Sequence, residues 1–419
     1  MFKITGCRRI KVIEPIRQDF QVRYRYAVHF TREVFAPDNP LVSQVAAGED
    51  DHRPKKLLVV VDQGLSQHHP RLLGQIEAYC RRHQEFLELA APPLLVPGGE
   101  AAKNDSRLVD RLHQAIRDAG LCRHSFVVAV GGGAVIDLAG YAAATAHRGL
   151  RLLRVPTTVL AQADAAIGVK NGINSFGLKN FLGTFAPPWA VINDAAFLPT
   201  LSRRDWLGGV AEAVKVALIK DPAFFAFLEE QAAKLTARHL GIMEQVVYRC
   251  AALHLDHIAG SGDPFECGTS RPLDFGHWAA HKLEQLSGHR LRHGEAVALG
   301  MALDATYSYL AGFLLRPDWL RIVTLLENLG FSLYAPELDD PARVLEGLQE
   351  FREHLGGRLT IMLLWAIGQG LEVHEIDPES LVTCLDLLKK RAAAGAVAPP
   401  ARRARAWGST GFPACAVPD

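Results

Sequence analysis

Apolar positions along this chain fall into two regimes. Between about residues 55 and 160 they come as short continuous runs, each closed by a polar or glycine turn and then by a segment of helical periodicity. LLVVVDQGL (57–65) ends in Asp62-Gln63-Gly64, and a helix is predicted from Pro70 to Gln84. LLVPGGEAAK (94–103) leads to a helix over Ser106 to Ala119. SFVVAVGGGAVIDLAGYAAATAHRG (125–149) repeats the order strand, glycine turn, small-residue helix, and LLRVPTTVLAQ (152–162) adds a strand and turn. Runs of this kind predict strands buried on both faces of a parallel sheet, and their alternation with helices predicts a doubly wound α/β domain. Residues 1–50 predict a strand or two around Phe20 to Phe30 and then the loop APDNPL. From Arg203 to about Lys390 nearly every segment is helical in period, as in WLGGVAEAVKVALI and HWAAHKLEQLSG. The boundary is placed near 195–202, with Ser202 as a helix N-cap. The expected organisation is an N-terminal extension (1–54), an α/β domain (55–200), a helical domain (201–390) and a tail (391–419). The tail is rich in Ala, Pro, Arg and Gly and is expected to be disordered.

One stretch breaks the pattern. Asp164 to Pro187 carries Lys170, Lys179, Asn171, Asn174 and Asn180 among glycines, with Ile167, Ile173, Phe176, Phe181 and Phe185 expected to anchor it. Lysine is a compact cation for phosphate, asparagine adds directional hydrogen bonds, and glycine admits close backbone approach. The stretch reads as the floor of a pocket for a phosphorylated, hydroxyl-rich molecule, or else as a Gly/Asn-rich surface loop. Composition narrows the classes. A net charge of +1 creates no broad field for nucleic acid or an anionic membrane. No apolar run reaches the ~18 residues that span a bilayer, and the start lacks an apolar secretory core. Seven cysteines without a CxxC pair suit free thiols in a reducing cytoplasm and argue against a thiolate zinc site.

Candidate chemistry lies at the strand ends and in the helical half. Gly131, Gly132 and Gly133 separate a buried strand from a helix, where backbone N–H groups can hold a phosphate; the sequence fits neither GxGxxG nor GxxxxGK[ST], so helix–strand packing stays open as the alternative. Asp137 follows one turn later. Asp62 and the Gly98-Gly99-Glu100 turn with Lys103 end strands at the same sheet edge, where acids suit ribose hydroxyls and glycines a pyrophosphate. Glu212, His277, His281 and His293 are metal candidates, one carboxylate with two or three imidazoles suiting zinc with an open position. A single histidine among 17 reads as an ordinary core or solvated side chain. Four such groups on apolar helices are harder to dismiss, since each unpaired buried polar group costs ~2–7 kcal/mol. Lys215, three residues after Glu212, is expected to reach for a substrate anion, because a cation beside a metal would repel it.

In this order the motifs GGEAAK, GGGAVID, HRG with PTT, DAAIGVKNGIN with LKNFLG, GVAEAVK, FGHWAAH and HGEAVALGM resemble the sugar-phosphate cyclase superfamily, typified by 3-dehydroquinate synthases, over about residues 55–370. KNGINSFGLKNFLGTFAPP and RPLDFGHWAAHKLE look most like its EboD-type branch. The resemblance implies an NAD-binding α/β domain, a helical domain binding zinc or cobalt, and a homodimer. It carries Glu212, His277 and His293 over as metal ligands. Glu100, Lys103, Gly131, Gly132, Gly133, Asp137, Thr157, Thr158, Leu160, Asp164, Lys179 and Thr200 match its NAD positions, with Asp62 near the adenosine. Lys170, Lys179, Asn180, Lys215 and His281 match its substrate and phosphate pocket, and Arg148 an arginine offered across the dimer interface. The implied reaction converts a seven-carbon sugar phosphate to a carbocycle by transient oxidation with NAD, phosphate elimination, re-reduction and aldol closure.

The chain also departs from that pattern. In SRPLDFGH, Arg271 is displaced by one position and Asp274 stands where asparagine is expected. An aspartate there repels a carboxylate and suits a hydroxyl-rich end, as in sedoheptulose 7-phosphate, the substrate of 2-epi-5-epi-valiolone synthases. A paired lysine becomes Arg352-Glu353, and His254 replaces another lysine. Yet His281 remains, where the sedoheptulose-type enzymes usually carry proline. Metal-dependent polyol or alcohol dehydrogenases share the GGG turn and a metal-binding helical half, but a plain alcohol needs no cluster of Lys170, Lys179, Lys215 and Arg148. A nucleotide-binding scaffold without catalysis is the remaining alternative.

Overall fold

The computed structural model describes residues 15–47, 53–265, 272–354 and 357–395. Its first elements are an edge strand, β1 (Ala27–Thr31), and a short helix, α1 (Leu41–Ala47). The strand expected around Phe20 is confined to residues 27–31; residues 15–26 form neither strand nor helix. The apolar run 57–65 becomes β2 (Lys55–Asp62), followed by α2 (Gln63–His68) and α3 (Leu72–Arg82). Leu57, Val59 and Val61 enter the core on one face of the sheet and Leu58 and Val60 the core on the other, which is why the run is continuous rather than alternating. Two short strands follow, β3 (Leu87–Leu89) and β4 (Leu94–Val96), then α4 (Ala101–Asn104) and α5 (Arg107–Asp118). Strand β5 (Phe126–Gly131), helix α6 (Gly133–Thr145) and strand β6 (Arg151–Pro156) complete the repeating part.

The polar stretch is not a loop. It folds into an antiparallel hairpin, β7 (Lys170–Ser175) and β8 (Leu178–Phe185), before β9 (Ala190–Asp194) returns to the main sheet. Ile167 and Ile173 are buried as expected; Phe176, Phe181 and Phe185 are 85%, 52% and 50% exposed, and of these Phe185 packs on Phe265, ring centroids 5.2 Å apart. The main sheet is parallel throughout, in the order β1-β9-β6-β5-β2-β3, with β4 continuing on the β3 side of β2. Strand β1 lies in the stretch read as an N-terminal extension, so the sheet begins upstream of residue 55. Chain direction across the sheet reverses between β2 and β5, and a crevice at such a reversal is where open α/β sheets hold ligands. Arg154 on β6 is wholly buried and ties the segment ahead of the hairpin to the sheet. Its guanidinium donates to Ala166 O at 2.9 Å, Gly168 O at 2.5 Å and Asn171 Oδ1 at 2.7 Å.

The second half comprises α7 (Arg203–Lys220), α8 (Pro222–Thr236), α9 (Leu240–Gly260), α10 (His277–Leu286), α11 (His293–Leu310), α12 (Arg316–Asn328), α13 (Pro341–His354) and α14 (Pro378–Gly395). Ser202 caps α7, its hydroxyl accepting from Asp205 N–H. The helical expectation fails at one place: β10 (Ile361–Ala366) and β11 (Gln369–Val373) form a hairpin packed on α7 and α11. Ile361, Met362, Leu363 and Leu364 are all buried, and an unbroken apolar run cannot be assigned to helix or strand by period alone. Residues 391–395 of the expected tail belong to α14; the remainder lies outside the described residues.

Two glycine crossings set the helix spacing. A Cβ on Gly294 would lie 2.2 Å from Gly208 O where α11 meets α7, and a Cβ on Gly300 would lie 1.9 Å from Gly276 O beside the start of α10. Gly276 itself has φ +78°. Asp304 secures that corner, accepting from Gly276 N–H at 2.9 Å and Trp278 Nε1–H at 2.8 Å. Burial pushes the Asp304 pKa up to about 7 in spite of these two hydrogen bonds.

Gly300→Ala is therefore expected to destabilise the chain by about 1–3 kcal/mol or more in urea unfolding, because backbone rather than a flexible side chain must move. A folded-state pKa above the unfolded value also sets a sign. Between about pH 4 and pH 7 the native state holds the Asp304 proton that the unfolded state has released, so stability falls with rising pH by up to about 1.4 kcal/mol per unit. The stability difference between wild type and Asp304→Asn, measured at pH 5 and pH 8, is expected to shrink as pH rises; a constant difference would mean that Asp304 ionises normally.

Candidate active site

Three helices deliver the metal candidates. Helix α7 is apolar around almost its whole circumference, so Glu212 in its middle is fully buried. His277 and His293 open α10 and α11, and the two glycine crossings bring those helix starts against α7. Glu212 Oε1 lies 3.3 Å from His293 Nε2 and 3.7 Å from His277 Nε2, and one ligand atom from each residue falls within 4.8 Å of the others.

The donor set fits a divalent ion. Neither Glu212 oxygen has a hydrogen bond of acceptable geometry, although Lys215 Nζ stands 2.5 Å from Oε2. His277 Nδ1 is 3.2 Å from Phe275 O; donation there leaves the Nε2 lone pair facing Glu212. Burial, with Lys215 adding to it, holds the His277 pKa well below its usual value, so the ring is neutral as a ligand must be. His293 behaves oppositely. Burial lowers its pKa, but Glu212 and Glu284 on either side outweigh it and lift the pKa to about 9. Two carboxylates thus call for positive charge between them, which a bound cation supplies in place of the proton. One carboxylate and two imidazoles leave a tetrahedral ion a position open.

Lys215 departs from the sequence expectation. Its ammonium is buried and pairs with Glu212. Burial disfavours its charge, yet Glu212, Asp164 and Asp274 raise its pKa above the ordinary lysine value. Asp274, on a single 3-10 turn (Pro272–Asp274), is the weakest of these three influences. Arg271 lies outside the described residues. His281 is exposed, one helical turn after His277, with ring centroids 5.6 Å apart.

Several nucleotide candidates sit at or just after the ends of β2 and β5. Asp62 caps α2, accepting from Gly64 N–H and Leu65 N–H, and a Cβ on Gly98 would collide with its carboxylate. Gly132 is the N-cap of α6, and among the described residues no side chain caps that helix end. Asp137 is partly buried on α6 and pairs with Lys103 Nζ at 2.5 Å; Lys103 also donates to Asn180 on the hairpin. Burial raises the Asp137 pKa against the pull of Lys103. Thr157 N–H donates to Gly131 O, Thr158 Oγ1 accepts from Ala161 N–H, and Leu160 precedes the single π turn that carries Asp164. Asp164 lies 3.1 Å from His254 Nδ1 on α9, so the histidine that replaces the expected lysine meets an acid. Thr200 bonds His69 at 2.9 Å. Glu100 accepts from Asn174 at 2.9 Å and lies 3.6 Å from Lys179.

Lys170 is exposed at the start of β7, on the hairpin that carries Lys179 and Asn180. Arg148 is exposed on the turn after α6, with φ +64°. That helix has 13 residues, so it carries Arg148 about 20 Å from the glycine turn at its other end. Arg352, in place of a lysine, donates from the end of α13 to Gly357 O beyond the helix. Sequence reasoning missed Glu284, which lies 3.0 Å from Lys179 and 3.5 Å from His293. Its spacing, seven residues after His277 and three after His281, would have placed it on their helix face.

Residues 93–208 match the family model described as 3-dehydroquinate synthase N-terminal, and residues 209–350 the one described as 3-dehydroquinate synthase C-terminal. A 3-dehydroquinate synthase of Geobacter sp. (strain M21) is 38% identical over 68% of this chain and 77% of its own length. A 2-epi-5-epi-valiolone synthase of Streptomyces glaucescens is 32% identical over 87% of this chain and 92% of its own. Among solved structures, the 2-epi-5-epi-valiolone synthase of Streptomyces hygroscopicus subsp. jinggangensis 5008, with NAD+ and Zn2+ bound, superimposes with a TM-score of 0.81 at 27% identity. It covers 90% of this chain and 100% of that one.

His277→Ala removes one imidazole and leaves the Glu212–Lys215 pair in place. It is expected to weaken zinc binding by on the order of 100-fold, measured by competition with a chromogenic chelator. Unchanged affinity would show that the ion binds elsewhere.

Proposed function

Because the chain belongs to the 3-dehydroquinate synthase family of sugar-phosphate cyclases, we propose that its substrate is a seven-carbon sugar phosphate. The substrate is closed to a carbocycle through transient oxidation, loss of phosphate, re-reduction and aldol addition. Phosphate leaves by elimination, which makes the enzyme a carbon–oxygen lyase with no net redox change. The observation that carries this reading is one geometry: a buried Glu212, His277 and His293 cluster whose His293 is joined through Glu284 to the hairpin lysine, Lys179.

When bound at the glycine crevice and at that cluster, NAD supplies a reversible hydride acceptor and a divalent ion supplies Lewis acidity toward an alkoxide. Gly131, Gly132 and Gly133 present backbone to the pyrophosphate, and Asp62 accepts from ribose hydroxyls. Lys170, Lys179 and Asn180 hold the substrate's phosphate as a dianion and stabilise it as it departs. His281 takes and returns a proton at a substrate oxygen. Lys215 keeps Glu212 ionised and ready to ligate.

Arg148 serves a second copy of the chain. Its distance from its own glycine turn and the exposed Phe176, Phe181 and Phe185 on the hairpin both support a homodimer.

Asp274 supports a hydroxyl-rich, uncharged end opposite the phosphate, and so sedoheptulose 7-phosphate, because a second carboxylate beside it would be repelled. His281 favours the second reading, the carboxylated seven-carbon donor of 3-dehydroquinate synthases. Purified protein with NAD and zinc, given each donor in turn, is expected to release phosphate from sedoheptulose 7-phosphate at least tenfold faster, without NADH accumulating. Faster release from the carboxylated donor would establish the second reading. Release from neither, or net NADH formation, would sink both.

A further inference from the structure

The roles above use Glu284 only as a link between His293 and Lys179, and its surroundings are unusual for a carboxylate. Its side chain is 5% exposed on α10. One oxygen, Oε1, lies 3.0 Å from Lys179 Nζ on β8; the other, Oε2, lies 3.5 Å from His293 Nδ1 at the start of α11. A single buried carboxylate therefore joins a cation of the α/β half to an imidazole of the helical half. On the other side of that imidazole, Nε2 faces Glu212 at 3.3 Å.

We infer that Glu284 is a positioning residue that fixes His293 for metal binding and holds Lys179 at the margin of the same site. An imidazole can ligate through Nε2 only if its proton sits on Nδ1, and an acceptor at Nδ1 selects that tautomer and fixes the ring plane. The negative charge of the acceptor also makes Nε2 a stronger donor. Lys179 neutralises the other end of the same carboxylate, so the lysine is drawn toward the cluster. The hairpin is tied in place through this pair and through the bonds from Lys103 to Asn180 and from Asn174 to Glu100. Phosphate held by Lys179 is thereby kept in register with whatever His293 ligates.

His281, Glu284 and His293 also fall within 4.8 Å of one another, as a second metal cluster would. Lys179 argues against that use: its ammonium already occupies Oε1, and His293 would have to serve two ions at once.

The inference rests on the metal reading of Glu212, His277 and His293, and the test separates the two. Zinc affinity and stoichiometry of the full chain are measured by chelator competition, with the Tm of the metal-free chain recorded alongside. Glu284→Gln keeps the size but loses the charge; it is expected to weaken zinc binding about 10–100-fold at one ion per chain. The metal-free Tm should stay within about 2 °C of wild type. Glu284→Asp keeps the charge but is too short to span both partners, and should fall between the two. In the sugar-phosphate assay, Glu284→Gln at saturating zinc is expected to raise KM more than it lowers kcat. Unchanged zinc affinity in Glu284→Gln, while His277→Ala loses zinc, overturns the positioning role alone. Two ions in wild type and one in Glu284→Gln would make Glu284 a ligand and overturn it as well. A metal-free Tm that falls in step with zinc affinity in both variants would reduce Glu284 to a structural tie. Should His277→Ala bind zinc as well as wild type, the metal reading fails and this inference with it.

Discussion

A carboxylate that water cannot reach is the constraint on which the site depends. Glu212 sits in the middle of a helix buried on nearly every side, and isolated charges in such surroundings cost several kcal/mol unless they are matched. Lys215 supplies one match from one turn along the same helix. His277 and His293 supply the rest, and they do so in opposite protonation states: one ring is kept neutral by burial, the other is drawn toward its charged form by two acids. A site with this imbalance is prepared for a cation. Without the helix crossings that bring α10 and α11 against α7, Glu212 would be a buried charge with a single partner.

Those crossings are made by backbone rather than side chains. Gly208 against Gly294 and Gly276 against Gly300 allow approaches that a Cβ would forbid. Asp304 then closes the corner next to His277 through Gly276 and Trp278. The Glu212, His277 and His293 cluster is therefore held by close-packed helix starts, with Phe275 O and Glu284 beside the two rings. Rigidity of this kind is what a ligand set needs to discriminate among ions and to hold an open position in one direction.

The α/β half meets this cluster through polar contacts that cross the chain. Arg154 fixes the segment leading into the hairpin, Lys103 joins Asp137 to Asn180, and Lys179 lies between Glu100 and Glu284. The hairpin leaves its phenylalanines half or more exposed and sends Ile173 into the core, so charge and hydrogen bonding carry much of its order. This explains how a segment so polar can be ordered at all.

Much of this was legible along the chain. The apolar runs at β2, β5 and β6 are continuous because both faces of a parallel sheet are buried, and that pattern, with the glycine turn after β5, is a one-dimensional signal. Glu212, His277 and His293 could be named because acids and imidazoles are conspicuous on apolar helices. The hairpins β7–β8 and β10–β11 were less legible: the first is Gly/Asn-rich, which reads as loop, and the second is an apolar run without a period. The role of Arg154 and the reach of Glu284 were beyond the sequence altogether. Each depends on which groups 9 to 105 positions apart are brought within hydrogen-bonding range. The chain by itself determined the residue types, their periods and the candidates for chemistry. Only the packing of helices through their glycines decided which charges meet, because electrostatic pairing depends on distances that periodicity does not contain.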